Sequence, residues 1–163
     1  MKTIRDLHRP PQIEGRVESI IVRVSPRDPA KTITATVALA GIGLADDRLG
    51  LRGESELSTR QVTLIQAEHL PVIARLARVG PIDPMGLRRN LVISGINLLA
   101  LKTAKLSVGG ALLEIVGPCH PCSRMEATIG PGGYAAMRGH GGMTARVLAS
   151  GPIQVGDVIR VVD

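Results

Sequence analysis

Residues 105–116, KLSVGGALLEIV, decide how the rest of the chain is read. Two apolar stretches, 105–108 and 111–116, flank Gly109-Gly110. A two-residue glycine turn between strand-like runs specifies a β-hairpin, because glycine accepts the positive φ that such turns demand. The same β character recurs on both sides. Residues 16–24 (RVESIIVRV) alternate and are β-branched, 32–39 (TITATVAL) read as a second strand after the proline-bearing loop 25–31, and 60–66 (RQVTLIQ) as a third. Residues 90–94, 146–149 and 157–162 add short candidates.

One segment has helical spacing. Leu70, Ile73, Ala74, Leu76 and Ala77 recur within 67–79, with Pro71 either in the first turn or confining the regular part to the residues beyond it. Seven or eight short strands with one convincing helix are not a βαβ series. The expected architecture is mainly β, a barrel-like domain with a few helices. At 163 residues the chain suits one domain, expected over 15–163 after a loose arm, 1–14, that carries Pro10-Pro11.

Composition narrows the function classes. Hydrophobic residues make up 44% and charged residues 21%, a globular balance. Trp and Phe are absent and Tyr134 is the single tyrosine, so the core must be aliphatic. A base-stacking nucleic-acid surface, which needs aromatic rings, is not expected. The apolar runs are too short to span a bilayer and the start is polar, so neither a membrane span nor a secretory signal is expected, and the cytoplasm is the expected compartment. The formal net charge is +6, and counting along the chain Arg supplies 16 of the 20 basic residues and Lys 4. Guanidinium grips phosphate and carboxylate bidentately, so a small anionic ligand is favoured over nucleic acid.

The two cysteines sit together in 117–124, GPCHPCSR. A structural zinc site would want four ligands, and no second cysteine pair exists. A thioredoxin-type couple would open a helix in a βαβ unit, whereas this pair follows a hairpin strand. Two incidental thiols remain an alternative. The other is a thiolate used as nucleophile, sulfur carrier or soft-metal ligand, and context favours it: Arg124 follows Cys122 by two residues, and a guanidinium beside a thiol favours the thiolate. Downstream, 130–142 (GPGGYAAMRGHGG) is glycine-rich and would let backbone N–H groups approach an anion. Arg60, Arg88-Arg89-Asn90, Arg124 and Arg138 are scattered basic and amide groups. Arg60, Arg89, Asn90, Arg124 and Arg138 are expected to converge near Cys122. His69 reads as packed or solvated, and Asp46 and Asp47 as turn residues.

The ordered set of elements resembles the MOSC domain, named for the C-terminal domain of molybdenum-cofactor sulfurases. The set comprises Ala45-Asp46-Asp47-Arg48, the strand and helix of 60–79, Arg89-Asn90-Leu91 with Gly95, the glycine hairpin, Pro121-Cys122, and Val155-Gly156-Asp157. The resemblance implies a mostly β barrel, an association with molybdenum cofactor (molybdopterin), and one cysteine that carries sulfur or ligates molybdenum. That cysteine matches Cys122, with Cys119 the extra thiol. It also implies a separate cysteine desulfurase or a molybdoenzyme as partner, since the sequence lacks a pyridoxal-phosphate domain, and so a sulfurtransferase or a molybdenum-dependent oxidoreductase. A homodimer is left open. The rival expectation is a non-catalytic anion- or partner-binding domain with redox-sensitive cysteines.

Overall fold

In the computed structural model, which describes residues 1, 3–4, 14–52 and 58–162, seven strands close into a barrel. They are β1 (Glu14–Val22), β5 (Val62–Gln66), β6 (Leu91–Ser94), β7 (Lys105–Val108), β8 (Ala111–Pro118), β9 (Met143–Ala149) and β11 (Val158–Val162). Their hydrogen-bonded order is β11-β7-β8-β9-β5-β6-β1, and β11 pairs back onto β1 through Glu14↔Arg160 and Arg16↔Val158. Closure removes the exposed sheet edges that open β-structures must protect. β2 (Lys31–Ile33) extends the sheet beyond β1, while β3 (Ala35–Leu39), β4 (Gly43–Leu44) and β10 (Gly151–Gln154) form a separate three-stranded sheet. Most of the expected arm, 1–14, lies outside the described residues, and Glu14 already belongs to β1.

The hairpin at 105–116 forms as read, with Val108 opposite Ala111. Gly109 has φ +54, and a Cβ there would stand 2.2 Å from Asp157 Oδ2, so both conformation and space demand glycine. The stretch 32–39 is a correction. It breaks at Thr34 into β2, paired with β1, and β3, paired with β10. The apolar alternation of Ile33, Ala35 and Val37 runs on in sequence, but burial changes phase, with Ile33 half-buried, Thr36 and Ala38 buried and Val37 exposed. Thr34 marks the switch by accepting a hydrogen bond from Val155 N (2.9 Å).

The apolar core of the barrel interior is aliphatic apart from Met143, with Leu64, Leu91, Ile93, Leu106, Leu113 and Ile115 fully buried. A fully buried side chain of this size contributes roughly 1.5–3 kcal/mol. A second core lies outside the barrel wall. There Ile65 and Val92, on the opposite faces of β5 and β6, meet Ile73 and Ala77 of α2 (His69–Ala77), together with Met125 of α3 (Arg124–Ile129) and Met137 of α4 (Gly133–Met137). A short α1 (Arg48–Arg52) follows β4. β5 and β6 are buried on both faces, so they read as continuous apolar runs, and they pair in parallel with α2 as the crossover. In β1 a bulge between Val17 and Ser19 shifts the phase, turning Val17, Ile20 and Val22 inward and Ile21 out to the helices.

The helix of 67–79 is present as α2, with Pro71 in its first turn and Arg78 ending it in the left-handed region. Its first residue, His69, packs its ring edge-on against His140, centroids 5.4 Å apart, and its buried Nδ1 has no hydrogen-bond partner among the described residues. Burial first, then the neighbouring His140, push the His69 pKa below 6.5, with Glu68 opposing. The unfolded chain therefore binds this proton more readily than the folded one. Its contribution to stability is complete above about pH 6.5 and is lost as pH falls through that value. The unfolding midpoint is expected to drop between about pH 7.5 and 5.5. His69→Phe, which keeps the ring contact without the titration, should flatten that dependence; an unchanged slope in thermal unfolding would contradict it.

Candidate functional site

β8 runs on to Pro118 and delivers the cysteines to the barrel rim, where α3 begins. Both thiols are free; Cys119 is half-buried and Cys122 exposed. The backbone of Cys119 is held on both sides. Its N–H donates to Gly142 O (2.9 Å), and its carbonyl accepts from Arg89 Nη2 (3.1 Å). The Arg89 side chain also donates from Nε to Gly141 O (2.6 Å) and from Nη1 to Leu87 O (2.8 Å), and the residue is 5% exposed. One buried guanidinium thus ties together the end of the Pro84–Leu87 turn, the cysteine loop and the segment before β9. Gly141 is required at this junction, since a Cβ would fall 2.6 Å from Cys119 O.

Beside this junction lies a pocket of about 200 Å³, lined by Arg23, Arg48, Arg60, Arg88 and Arg89, with Asp47 its acidic residue among those described. Arg88 holds a left-handed backbone (φ 60, ψ 40) that costs a non-glycine residue energy, and such strain gathers at functional sites. Burial lowers the Arg88 pKa, and repulsion from Arg124, Arg23 and Arg48 lowers it further, whereas Cys122 opposes. Arg124 and Cys122 therefore share one electrostatic field with the pocket wall. Cys119 feels the same field: burial raises its pKa while Arg89 and Arg60 pull it down. Ion pairs among the described residues, Arg146 with Glu114 and Arg160 with Glu14, lie elsewhere. Asp47 spends Oδ1 on the Arg23 N–H (2.7 Å), and Asp46 accepts from Thr36 Oγ1 (2.7 Å), so both serve the turn. The guanidiniums of Arg23, Arg48, Arg60, Arg88 and Arg124 form no salt bridge among the described residues.

The structure thus gathers Cys119, Cys122, Arg60, Arg89 and Arg124. It treats the other expected groups differently. Asn90 lines the pocket, but its Oδ1 accepts from Thr63 N (3.1 Å) and Oγ1 (3.0 Å), and its Nδ2 donates to Ile21 O (3.3 Å). It laces β5, β6 and β1 together rather than offering its amide to a ligand. Arg138 follows α4, exposed, and no contact among the described residues ties it to the cysteines. The glycine-rich stretch is a further correction. It folds into α4, and the N–H groups of Gly132 and Tyr134 donate to the Glu126 carboxylate at 2.7 and 2.9 Å, so an internal anion fills that cradle. Those two bonds hold the Glu126 pKa below the usual carboxylate value.

Arg23 and Arg48 are site residues that sequence reasoning missed. Arg48 stood in the Ala45–Arg48 turn, but nothing in 16–24 marks Arg23 as different from its neighbours. Among the described residues no three His, Cys, Asp or Glu side chains gather to hold a metal ion, so a metal at Cys122 would arrive with its other ligands. Arg89→Met strips three charge-assisted bonds from buried carbonyls and should lower the unfolding free energy by about 2–4 kcal/mol in urea titration. It should also speed alkylation of Cys119. Wild-type stability would contradict the clamp.

The MOSC domain family model matches residues 20–160. No curated protein matches the sequence. Among solved structures, the YuaD protein of Bacillus subtilis superposes with a TM-score of 0.80 at 18% identity, covering 93% of this chain and 97% of that one. YiiM of Geobacillus stearothermophilus gives 0.71 at 17%, covering 91% and 75%. YiiM of Escherichia coli gives 0.65 at 18%, covering 94% and 71%. At these identities the likeness is one of fold, and it agrees with the family match: the chain belongs to the MOSC domain family.

Proposed function

We propose that the chain binds the molybdenum cofactor in the arginine-lined pocket and uses Cys122 as a sulfur-carrying thiol. Family membership makes this a molybdenum-cofactor-related domain. The finer reading rests on one observation: a wall of guanidiniums, one of them strained and crowded by three others, that no carboxylate among the described residues bridges. Such a cluster is costly without an anion, and a pterin phosphate supplies one. The residues fit the group. Arg23, Arg48, Arg60 and Arg88 would hold its phosphate and polar edge, and the Cys122 thiolate suits a soft metal. When bound, the cofactor supplies molybdenum able to accept sulfur or to change oxidation state.

The position of Cys122 favours the carrier role over the reductase role. It is exposed at the rim and does not line the pocket, so a partner protein can reach it. The Cys122 thiolate attacks the outer sulfur of a persulfide on a cysteine desulfurase. A new S–S bond forms on Cys122, the partner's S–S bond breaks, and the partner thiolate leaves and takes up a proton. Arg88, crowded by its neighbouring guanidiniums, is attracted to Cys122, so the thiol and the pocket wall are electrostatically coupled. Two free thiols in such chemistry belong in the reducing cytoplasm, and a molybdoenzyme is the downstream acceptor.

The test separates pocket from thiol. Purified protein is incubated with free molybdenum cofactor, filtered and assayed for molybdenum, and in parallel charged by a cysteine desulfurase and assayed for persulfide. Arg60→Ala with Arg88→Ala should weaken cofactor retention at least about tenfold, the loss of roughly one charge-assisted bond. Cys122→Ser should retain cofactor and carry no persulfide. A Cys122→Ser protein empty of molybdenum would move the thiol to the ligand role. A wild-type protein that takes up neither would leave the non-catalytic, anion-binding reading.

A further inference from the structure

We infer that Cys119 is the resolving thiol of Cys122: once Cys122 is oxidised to a sulfenic acid, Cys119 closes on it and forms an intramolecular disulfide. The inference does not rest on the molybdenum-cofactor reading. The two residues differ in a way that suits a reacting and a resolving partner. Cys122 is exposed, at the entry to α3, with its carbonyl accepting from Met125 N (2.9 Å). Cys119 is half-buried and pinned through both its amide and its carbonyl. Only His120 and Pro121 separate them, and Pro118 and Pro121 restrict the backbone ahead of each cysteine. A disulfide needs Cβ atoms roughly 3.5–4.5 Å apart, which a two-residue spacer permits. The exposed thiol is the one a small oxidant reaches first, and the anchored one lies three residues before it in the same loop.

Burial raises the Cys119 pKa, which makes that thiol the slower of the two to meet a free oxidant, while Arg89 and Arg60 pull it down. The chemistry balances with a hydroperoxide as the oxidant. The Cys122 thiolate attacks the O–O bond; with one proton taken up, Cys122–SOH and an alcohol (water, from hydrogen peroxide) result, a two-electron oxidation of sulfur. Cys119–SH then displaces hydroxide from the sulfenic sulfur, which leaves as water with the thiol proton, and the S–S bond forms. The disulfide spares Cys122 from the sulfinic and sulfonic states that thiols do not reverse.

Reduced full-length protein is treated with about one and then about ten equivalents of hydrogen peroxide, blocked with iodoacetamide and read by intact and peptide mass. Wild type should lose two hydrogens, carry no alkyl group on the 117–124 peptide, and recover both thiols with dithiothreitol. Cys119→Ser should give a dimedone-trapped Cys122 sulfenic acid and roughly tenfold more sulfinic acid. Cys122→Ser should leave Cys119 roughly tenfold slower to react. Cys119→Ala guards against a variant that misfolds. The inference is overturned if wild type keeps two alkylatable thiols, forms disulfide-linked dimers instead, or reaches Cys122 sulfinic acid as fast as Cys119→Ser.

Discussion

The Arg89 guanidinium, buried and bound to the carbonyls of Leu87, Cys119 and Gly141, is the interaction on which the site depends. Burying a cation away from water is expensive unless its N–H groups are satisfied, and here they are satisfied by backbone oxygens that would otherwise be orphaned in a crowded junction. No carboxylate among the described residues pairs with it, so backbone oxygens solvate the charge without cancelling it. Burial lowers the Arg89 pKa, and Cys119 and then Cys122 work against that. The clamp therefore sets the position of the cysteine loop and adds to the positive field that the loop sits in. It explains why the thiols stand beside the pocket without being part of its lining.

The barrel makes that junction possible. β5 and β6 are buried on both faces, closing the aliphatic interior with Leu64 and Leu91 and carrying the helical layer on Ile65 and Val92. Arg88 and Arg89 enter at the start of β6, Arg60 before β5, and Arg23 at the end of β1. Three adjacent strands thus bring their arginines to one rim. Asn90 stitches those strands together beneath them. Glu126, by capping the start of α4 with its own carboxylate, keeps the glycine-rich segment folded against the second core and closed to outside anions.

What was legible in the sequence was local. The hairpin at 105–116 could be read because its turn is specified by two adjacent glycines, and α2 because its apolar spacing lies within one element. The split of 32–39 could not be read, since it depends on β10, more than a hundred residues on, pairing with β3 and not β2. β10 itself was hidden by Gly151-Pro152. At the site, residue type pointed to a cluster of arginines and a thiol but not to their division of labour. Arg89 and Arg60 look alike in sequence; what separates them is a partner 52 residues away for one and open pocket for the other. Arg138 and the glycines around it looked like an anion cradle because the carboxylate that fills it, Glu126, comes from the preceding helix.

Two kinds of arginine stand at the rim, one bound inward to backbone carbonyls and the others without a carboxylate partner among the described residues. The measurement that separates them most directly is NMR of the arginine Nε–H resonances during titration with inorganic phosphate at low salt. The account predicts that the Arg89 Nε–H exchanges slowly with water and stays unmoved. Those of Arg60, Arg88 and Arg124 should shift together, saturate with one common dissociation constant, and revert as added salt screens the pocket. An Arg89 Nε–H that exchanges as fast as that of exposed Arg138, or pocket arginines that shift no more than Arg138 does, would contradict it.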